Sequence, residues 1–206
     1  MKLGEMTFGA NIKIPERQED DSYKLADYTL GFFGVGVAAL IRKDIHSLCR
    51  FGDSTEYAGS DLDKRMTEIY NSYPDEFKEL IIPCTIPLYN GSGAEDITRK
   101  VFAPTLTMVG GGGNEGVDEG FTWPIFTGRN SRKKTFNGSS AGWWLSSRFN
   151  TSYSRSVFTD GTAYYDNPCN SDGVVPAFVI PQSVQIDDTP DNDGSYRLTE
   201  LQSYCS

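Results

Sequence analysis

Residues 142–180 read GWWLSSRFNTSYSRSVFTDGTAYYDNPCNSDGVVPAFVI. The two ends are apolar: Trp143, Trp144 and Leu145 open the segment, and Val174, Val175, Pro176, Ala177, Phe178, Val179 and Ile180 close it. The middle is Ser, Thr, Asn, Asp and Tyr. Burial contributes about 1.5–3 kcal/mol for each fully covered large side chain, so the ends act as anchors. The polar middle is then a displayed surface. Four strands are expected here, at 143–146, 152–159, 162–165 and 174–180. Asp160-Gly161 is the signal of a two-residue hairpin turn, and Pro176 belongs at an edge or bulge.

From 145 to 181 there is no Lys, Glu, Gln, Met or Trp. What remains is rich in Tyr, Ser, Gly and Asn, the mixture that antibody loops use for contact area at low entropy cost and for adaptable hydrogen bonding. The same composition also suits an ordinary polar loop region of a β-rich protein.

The residues Trp143, Trp144, Leu145, Ser147, Asp160, Gly161, Gly173, Val174, Pro176, Ala177 and Phe178, with LIRKDI at 40–45 and NGSSAGWW at 137–144, resemble a domain family common in Firmicutes and their tailed phages. The resemblance implies a C-type-lectin-like fold, related to formylglycine-generating enzymes and to the variable proteins of diversity-generating retroelements. Ser146, Ser147 and Arg148 stand where that family often has Arg and then Ser-Pro, so the local turn differs. The retroelement relationship gives the missing residue types a meaning. Mutagenesis of the adenines in AAY codons leaves a third-base pyrimidine, and such codons cannot specify Lys, Glu, Gln, Met or Trp. The implied function is a ligand-binding, receptor-binding variable protein, tail-associated, found in the virion or in host cytoplasm before assembly. Its partners would be a host cell-surface protein or glycan, other phage tail proteins and, as a homo-oligomer, further copies of itself. The alternatives are a structural tail assembly protein and a formylglycine-generating-like enzyme.

The 206 residues suit one α+β domain, with 1–141 as scaffold and 142–180 carrying core strands and the binding face. A net charge of −9 argues against nucleic acid or an anionic membrane as partner. The apolar run 29–41 is too short to span a bilayer, and MKLGEMTFG lacks the core of a secretory signal. Cys49, Cys84, Cys169 and Cys205 fit no metal spacing and read as reduced thiols, with one or two disulfides as the alternative.

Helices are expected near 60–80. Ser60 is the N-cap and Asp63 the first-turn acid; Leu62, Met66, Ile69, Tyr70 and Tyr73 share one face, and Pro74 is the stop. Asp75 to Leu80 forms a second short helix. Residues 109–120 (VGGGGNEGVDEG) lack the Lys-Ser/Thr ending of a phosphate loop and read as a flexible exposed loop. Phe121, Trp123, Ile125 and Phe126 dock that region on the core. The acidic run 187–194 (DDTPDNDG) lacks the spacing of a calcium loop and reads as a solvated turn.

His46 is the one histidine and stands at a strand boundary. No nucleophile–base combination can be assembled around it, so neither catalytic residues nor a metal or cofactor are assigned. The candidate ligand-binding residues are Phe149, Asn150, Tyr153, Arg155, Tyr164, Tyr165, Asp166, Asn167 and Asn170. Tyr153, Arg155, Tyr164 and Tyr165 are the expected hot spots, because aromatic and Arg side chains dominate interfaces. Trp143 or Trp144, Leu145, Val157, Val175 and Phe178 are expected in the core.

Overall fold

The computed structural model describes residues 1–204, so the reading of Cys205 lies outside the described residues. The first half contains β1 (Asn11–Arg17), β2 (Tyr23–Phe33), β3 (Val37–Arg42), β4 (Ser47–Arg50), α1 (Asp61–Ser72) and α2 (Asp75–Leu80). Next come β5 (Cys84–Tyr89), β6 (Ala94–Arg99), β7 (Val101–Phe102), β8 (Lys134–Phe136) and β9 (Ser139–Ala141). The last third adds β10 (Trp143–Arg148), β11 (Ser154–Val157), β12 (Ala163–Asp166), β13 (Ser171–Val174), β14 (Ala177–Pro181) and β15 (Tyr196–Arg197). The fold is α+β and mostly sheet.

Both helices form where the sequence places them. The Ser60 side chain accepts a hydrogen bond from the Asp63 backbone N–H at 3.1 Å, capping α1. Leu62, Met66 and Ile69 are buried on its inner face. Asp63 reaches out to Arg99, whose Nε and Nη2 donate to its carboxylate at 2.7 and 2.8 Å. That bidentate pair ties the helix to β6.

The sheets are arranged differently from the expectation of one antiparallel sheet built mainly by the last third. A six-stranded sheet runs β15-β1-β2-β3-β14-β7, and its centre comes from the first 42 residues. The last third supplies four strands of a second, five-stranded sheet, β12-β11-β10-β13-β4. The expected single strand over 174–180 is two strands in two sheets. β13 pairs with β4 and β10, whereas β14 lies between β3 and β7. Val175 and Pro176 make the crossing. Proline has no N–H to give a ladder, and here its carbonyl accepts instead from Arg42 N at 2.9 Å. Every side chain from Val174 to Phe178 is buried.

The core gathers around that crossing. The Phe178 ring lies 5.0 Å from Tyr28, 5.8 Å from Tyr73 and 5.2 Å from Phe77, tilted or edge-on to each. The Tyr28 hydroxyl donates to Glu16 Oε1 at 2.7 Å and meets the Tyr73 hydroxyl at 2.6 Å. Arg42 Nε and Nη2 donate to the same Glu16 carboxylate at 2.9 and 3.1 Å. The buried charge is thus paired and hydrogen-bonded, the condition under which it is tolerated. Trp143, Trp144, Leu145, Val157 and Val175 are fully buried, as the sequence predicts. The indole N–H groups of Trp143 and Trp144 donate to the Arg132 and Cys49 carbonyls, each at 3.0 Å.

The acidic run 187–194 is laced by ion pairs. Asp191 meets Arg197 at 2.9 Å, Asp193 meets Lys13 at 2.7 Å and Asp188 meets the N-terminal amine. No helix among the described residues is long and apolar enough to cross a membrane.

Replacing Phe178 with Ala should cost about 3–5 kcal/mol, the range for a large aromatic whose site cannot collapse. Urea unfolding checks this: the midpoint falls while the denaturant slope is unchanged.

Candidate functional site

The candidate face begins where β10 leaves the core. Trp143, Trp144, Leu145, Ser146 and Ser147 are buried in succession, so this strand is covered on both sides. Its register with β11 shifts between Trp144 and Arg148, a bulge that redirects the chain. Arg148 then anchors the exit: Nη1 donates to Glu56 Oε1 at 2.5 Å and to the Asn90 carbonyl at 2.8 Å. Beyond it the chain closes a tight loop. The N–H groups of Phe149 and Asn150 donate to the Tyr153 carbonyl at 3.0 and 3.1 Å. Asn150 Oδ1 accepts from Ser152 N and Tyr153 N at 2.8 and 2.9 Å.

β11 and β12 form the hairpin expected at Asp160-Gly161, with shorter strands and a longer loop. Phe158 N donates to the Thr162 carbonyl at 2.8 Å and Gly161 N to the Phe158 carbonyl at 2.8 Å. The loop is therefore the three residues Thr159, Asp160 and Gly161, with Gly161 at φ 85. A Cβ on Gly161 would also stand 1.9 Å from the Arg129 carbonyl oxygen, so glycine is required there.

On this hairpin the aromatic candidates come together. The rings of Phe149 and Tyr165 stack at 4.3 Å and 6°, and those of Tyr165 and Tyr164 at 4.2 Å and 20°. Tyr153 tilts against Tyr165 at 5.1 Å, and Phe158 against Tyr164 at 5.3 Å. Arg155 Cζ lies 4.3 Å from the centroid of Phe149, a cation–π contact. Tyr164 and Tyr165 are neighbours on a strand, so their Cβ atoms point to opposite faces. Their rings meet around the free edge of β12, the outermost strand of its sheet, which shields that edge from other chains. Tyr153, Phe158 and Tyr164 remain 39, 39 and 44 % exposed.

The polar candidates have different roles. Asp166 Oδ1 accepts from Asn167 N at 2.7 Å and from Asn170 Nδ2 at 2.9 Å, and Asn167 Oδ1 accepts from Cys169 N at 2.9 Å. With Asn150, these side chains close loops through Asx-type bonds. Arg155 is half-buried. Its Nε donates to Asn114 Oδ1 at 3.1 Å and its Nη2 lies 3.5 Å from Glu115 Oε1.

Those two contacts lead to residues the sequence reading did not single out. The glycine-rich stretch 109–120, expected to be flexible and exposed, is pinned beneath the aromatic face. Asn114 and Val117 exchange backbone hydrogen bonds at 2.8 and 2.9 Å. Glu115 at φ 50 and Gly116 at φ 82 form the two-residue turn between them. Asn114 and Glu119 are fully buried. Asn114 Nδ2 donates to Glu119 Oε1 at 3.1 Å and to the Arg148 carbonyl at 2.6 Å. Glu119 Oε1 also accepts from Tyr89 N at 2.9 Å, and Oε2 accepts from the Ser147 hydroxyl. Burial pushes the Glu119 carboxyl above its ordinary range, and the Ser147, Tyr89 and Asn114 hydrogen bonds act against that rise. The one available signal was a pair of polar residues, Asn and Glu, breaking a glycine-rich string.

Phe158 was also missed, read as part of a strand interior rather than of the surface. His46 is half-buried, its Nδ1 lies 3.0 Å from Ser47 Oγ, and burial lowers its pKa. Among the described residues no cluster of three or more His, Cys, Asp or Glu side chains is placed to hold a metal ion. Cys49, Cys84 and Cys169 are free thiols.

Fold and face together define a sheet-rich α+β module that presents a preassembled aromatic patch on a rigid scaffold. Residues 36–182, most of the chain, match the family described as Domain of unknown function (DUF6273), and the protein belongs to that family. Comparison with curated proteins and with solved structures gives no match.

Two measurements probe the supports of this face. Asn114→Ala leaves Glu119 and Arg155 short of a buried partner and should cost about 1–3 kcal/mol; limited proteolysis should then cut within 109–120 much faster than in the parent chain. Asp172, beside Asp166, is raised from 3.8 to about 6, by burial first and then by the neighbouring carboxylate. A carboxyl whose folded pKa lies above its unfolded one keeps its proton longer in the native state, so its contribution to stability is lost as pH rises from about 4 to about 6. Thermal melts across that window should show the wild type falling relative to Asp172→Asn.

Proposed function

We propose that the chain is a ligand-binding module with a C-type-lectin-like fold, a variable protein of a diversity-generating retroelement that is carried on a phage tail and recognises a host surface. The observation that carries this reading is the stacked set Phe149–Tyr165–Tyr164, flanked by Tyr153 and Phe158. It is displayed on strands whose opposite ends are fixed by Trp143, Trp144 and the 174–180 run. The surface is rigid, and ordering it on binding costs little. The absence of Lys, Glu, Gln, Met and Trp from 145–181 supports the same reading.

The stacking also favours a protein ligand over a glycan. A sugar ring packs on an open aromatic face, but both faces of Tyr165 are occupied by Phe149 and Tyr164, and Phe149 holds Arg155 on its other side. What the patch offers is ring edges and hydroxyls, which suit the irregular surface of a protein.

Tyr153→Ala with Tyr164→Ala should abolish retention of the purified protein on host cell envelopes while leaving the melting temperature within a few degrees, because neither ring is core. Arg155→Ala should lower the melting temperature as well, since that side chain bridges Phe149 and Asn114. Retention that survives the tyrosine pair would end this assignment of the face. A near-copy of the segment encoding 142–180 beside a reverse-transcriptase gene is the matching genetic observation.

A further inference from the structure

A second surface carries no residue of the aromatic patch. A groove of about 560 Å³ lies between the start of β5 and the 118–123 segment, with Ala39, Phe102, Met108, Trp123 and Val179 among its lining. Of its fifteen lining residues one is charged, Asp118. Phe32 and Phe121 form one wall, stacked at 6.0 Å and 5°, and Phe121 is 74 % exposed. The β2–β3 hairpin ends beside this groove in a projecting apolar tip. Val35, between Gly34 and Gly36, is completely exposed. On the other face of the same hairpin Phe8 packs on Phe33 at 5.1 Å, with Phe8 itself 45 % exposed. Phe32 pairs with Ala39 and Phe33 with Ala38, so groove and tip are two parts of one rigid ladder.

Exposed apolar groups of this size, adjacent to an apolar recess, mark an interface. We infer that the occupant is a second copy of this chain, the Val35 tip of each copy seated in the groove of the other. The knob and the hole are carried on the same hairpin, which is what a reciprocal two-fold contact needs. Charge points the same way: copies that each carry −9 repel over most approaches, and this recess holds a single carboxylate. A small apolar ligand would fill the groove but leave Val35, Phe8 and Phe33 in water. Pairing of two copies covers all of them.

Sedimentation velocity of the full chain from about 1 to 200 µM tests this directly, and the mass should climb from one chain toward two across that range. Val35→Asp and Phe121→Asp alter exposed side chains, so each should melt as the parent does yet raise the dimer dissociation constant about tenfold or more. Cys84 lines the groove. Its alkylation by N-ethylmaleimide, read by peptide mass, should slow as wild-type concentration rises and stay constant for Val35→Asp. A wild type that stays single throughout, a Val35→Asp chain that associates as tightly as the parent, or native mass spectrometry showing an apolar small molecule held by a single chain would each overturn the proposal.

Discussion

The chain from Val174 to Ile180 belongs to both sheets, and the rest of the structure depends on that shared span. A strand usually completes one ladder. Here Pro176 interrupts the hydrogen-bonding pattern after Val174, and the chain resumes at Ala177 between β3 and β7. Because residues 174–178 are buried throughout, neither sheet can shift without moving the other. Phe178 extends this coupling to the helices through Tyr73 and Phe77. The cluster of Glu16, Arg42, Tyr28 and Tyr73 satisfies the polar groups that this packing would otherwise strand. An unpartnered group in such a place costs more than the hydrogen bond itself contributes.

The aromatic face inherits its rigidity from that arrangement through a second, polar layer. Ser147 leaves β10 with its hydroxyl on Glu119, Glu119 holds Asn114, and Asn114 holds Arg155 and the Arg148 carbonyl. Arg155 in turn supports Phe149 from beneath. Each member is nearly or fully satisfied, the condition under which a buried polar network rigidifies rather than destabilises. The glycines of 109–120 let the backbone fold closely enough for this, and the two polar side chains fix it once folded.

What the sequence made legible follows the range of the interactions. The capping of α1 by Ser60, the stop at Pro74 and the burial of Trp143, Trp144 and Leu145 rest on local chemistry or large apolar area, and both are visible in one dimension. The split of 174–180 was hidden because an unbroken apolar run reads as one buried strand; only the partners on each side, β4 and β3, show the change of sheet. The candidate aromatics were legible as a group, since alternation along β11 and β12 puts them within reach of one another. Asn114, Glu115 and Glu119 were not, because their partners lie 28 to 41 residues away in the chain. The Asp160-Gly161 signal located the hairpin but not its loop length, since glycine at φ above zero serves two-residue and three-residue loops alike.

The structure also divides the candidate residues by how freely they can change. Asn150, Asp166 and Asn167 spend their side-chain oxygens on loop closure, and Arg155 is fixed between a ring and a buried amide. Replacing any of them alters the shape of the face as well as its chemistry. Tyr153, Phe158 and Tyr164 make ring contacts only at their inner sides and present the rest to solvent. Under the proposed reading, diversity concentrates at these outer rings, where a new side chain changes what is recognised without loosening what presents it. The loop-closing positions tolerate mainly Asn, Asp, Ser and Thr, the residues that can accept the same backbone bonds. A surface built this way separates the part that must stay constant from the part that can vary, although both lie within the same forty residues.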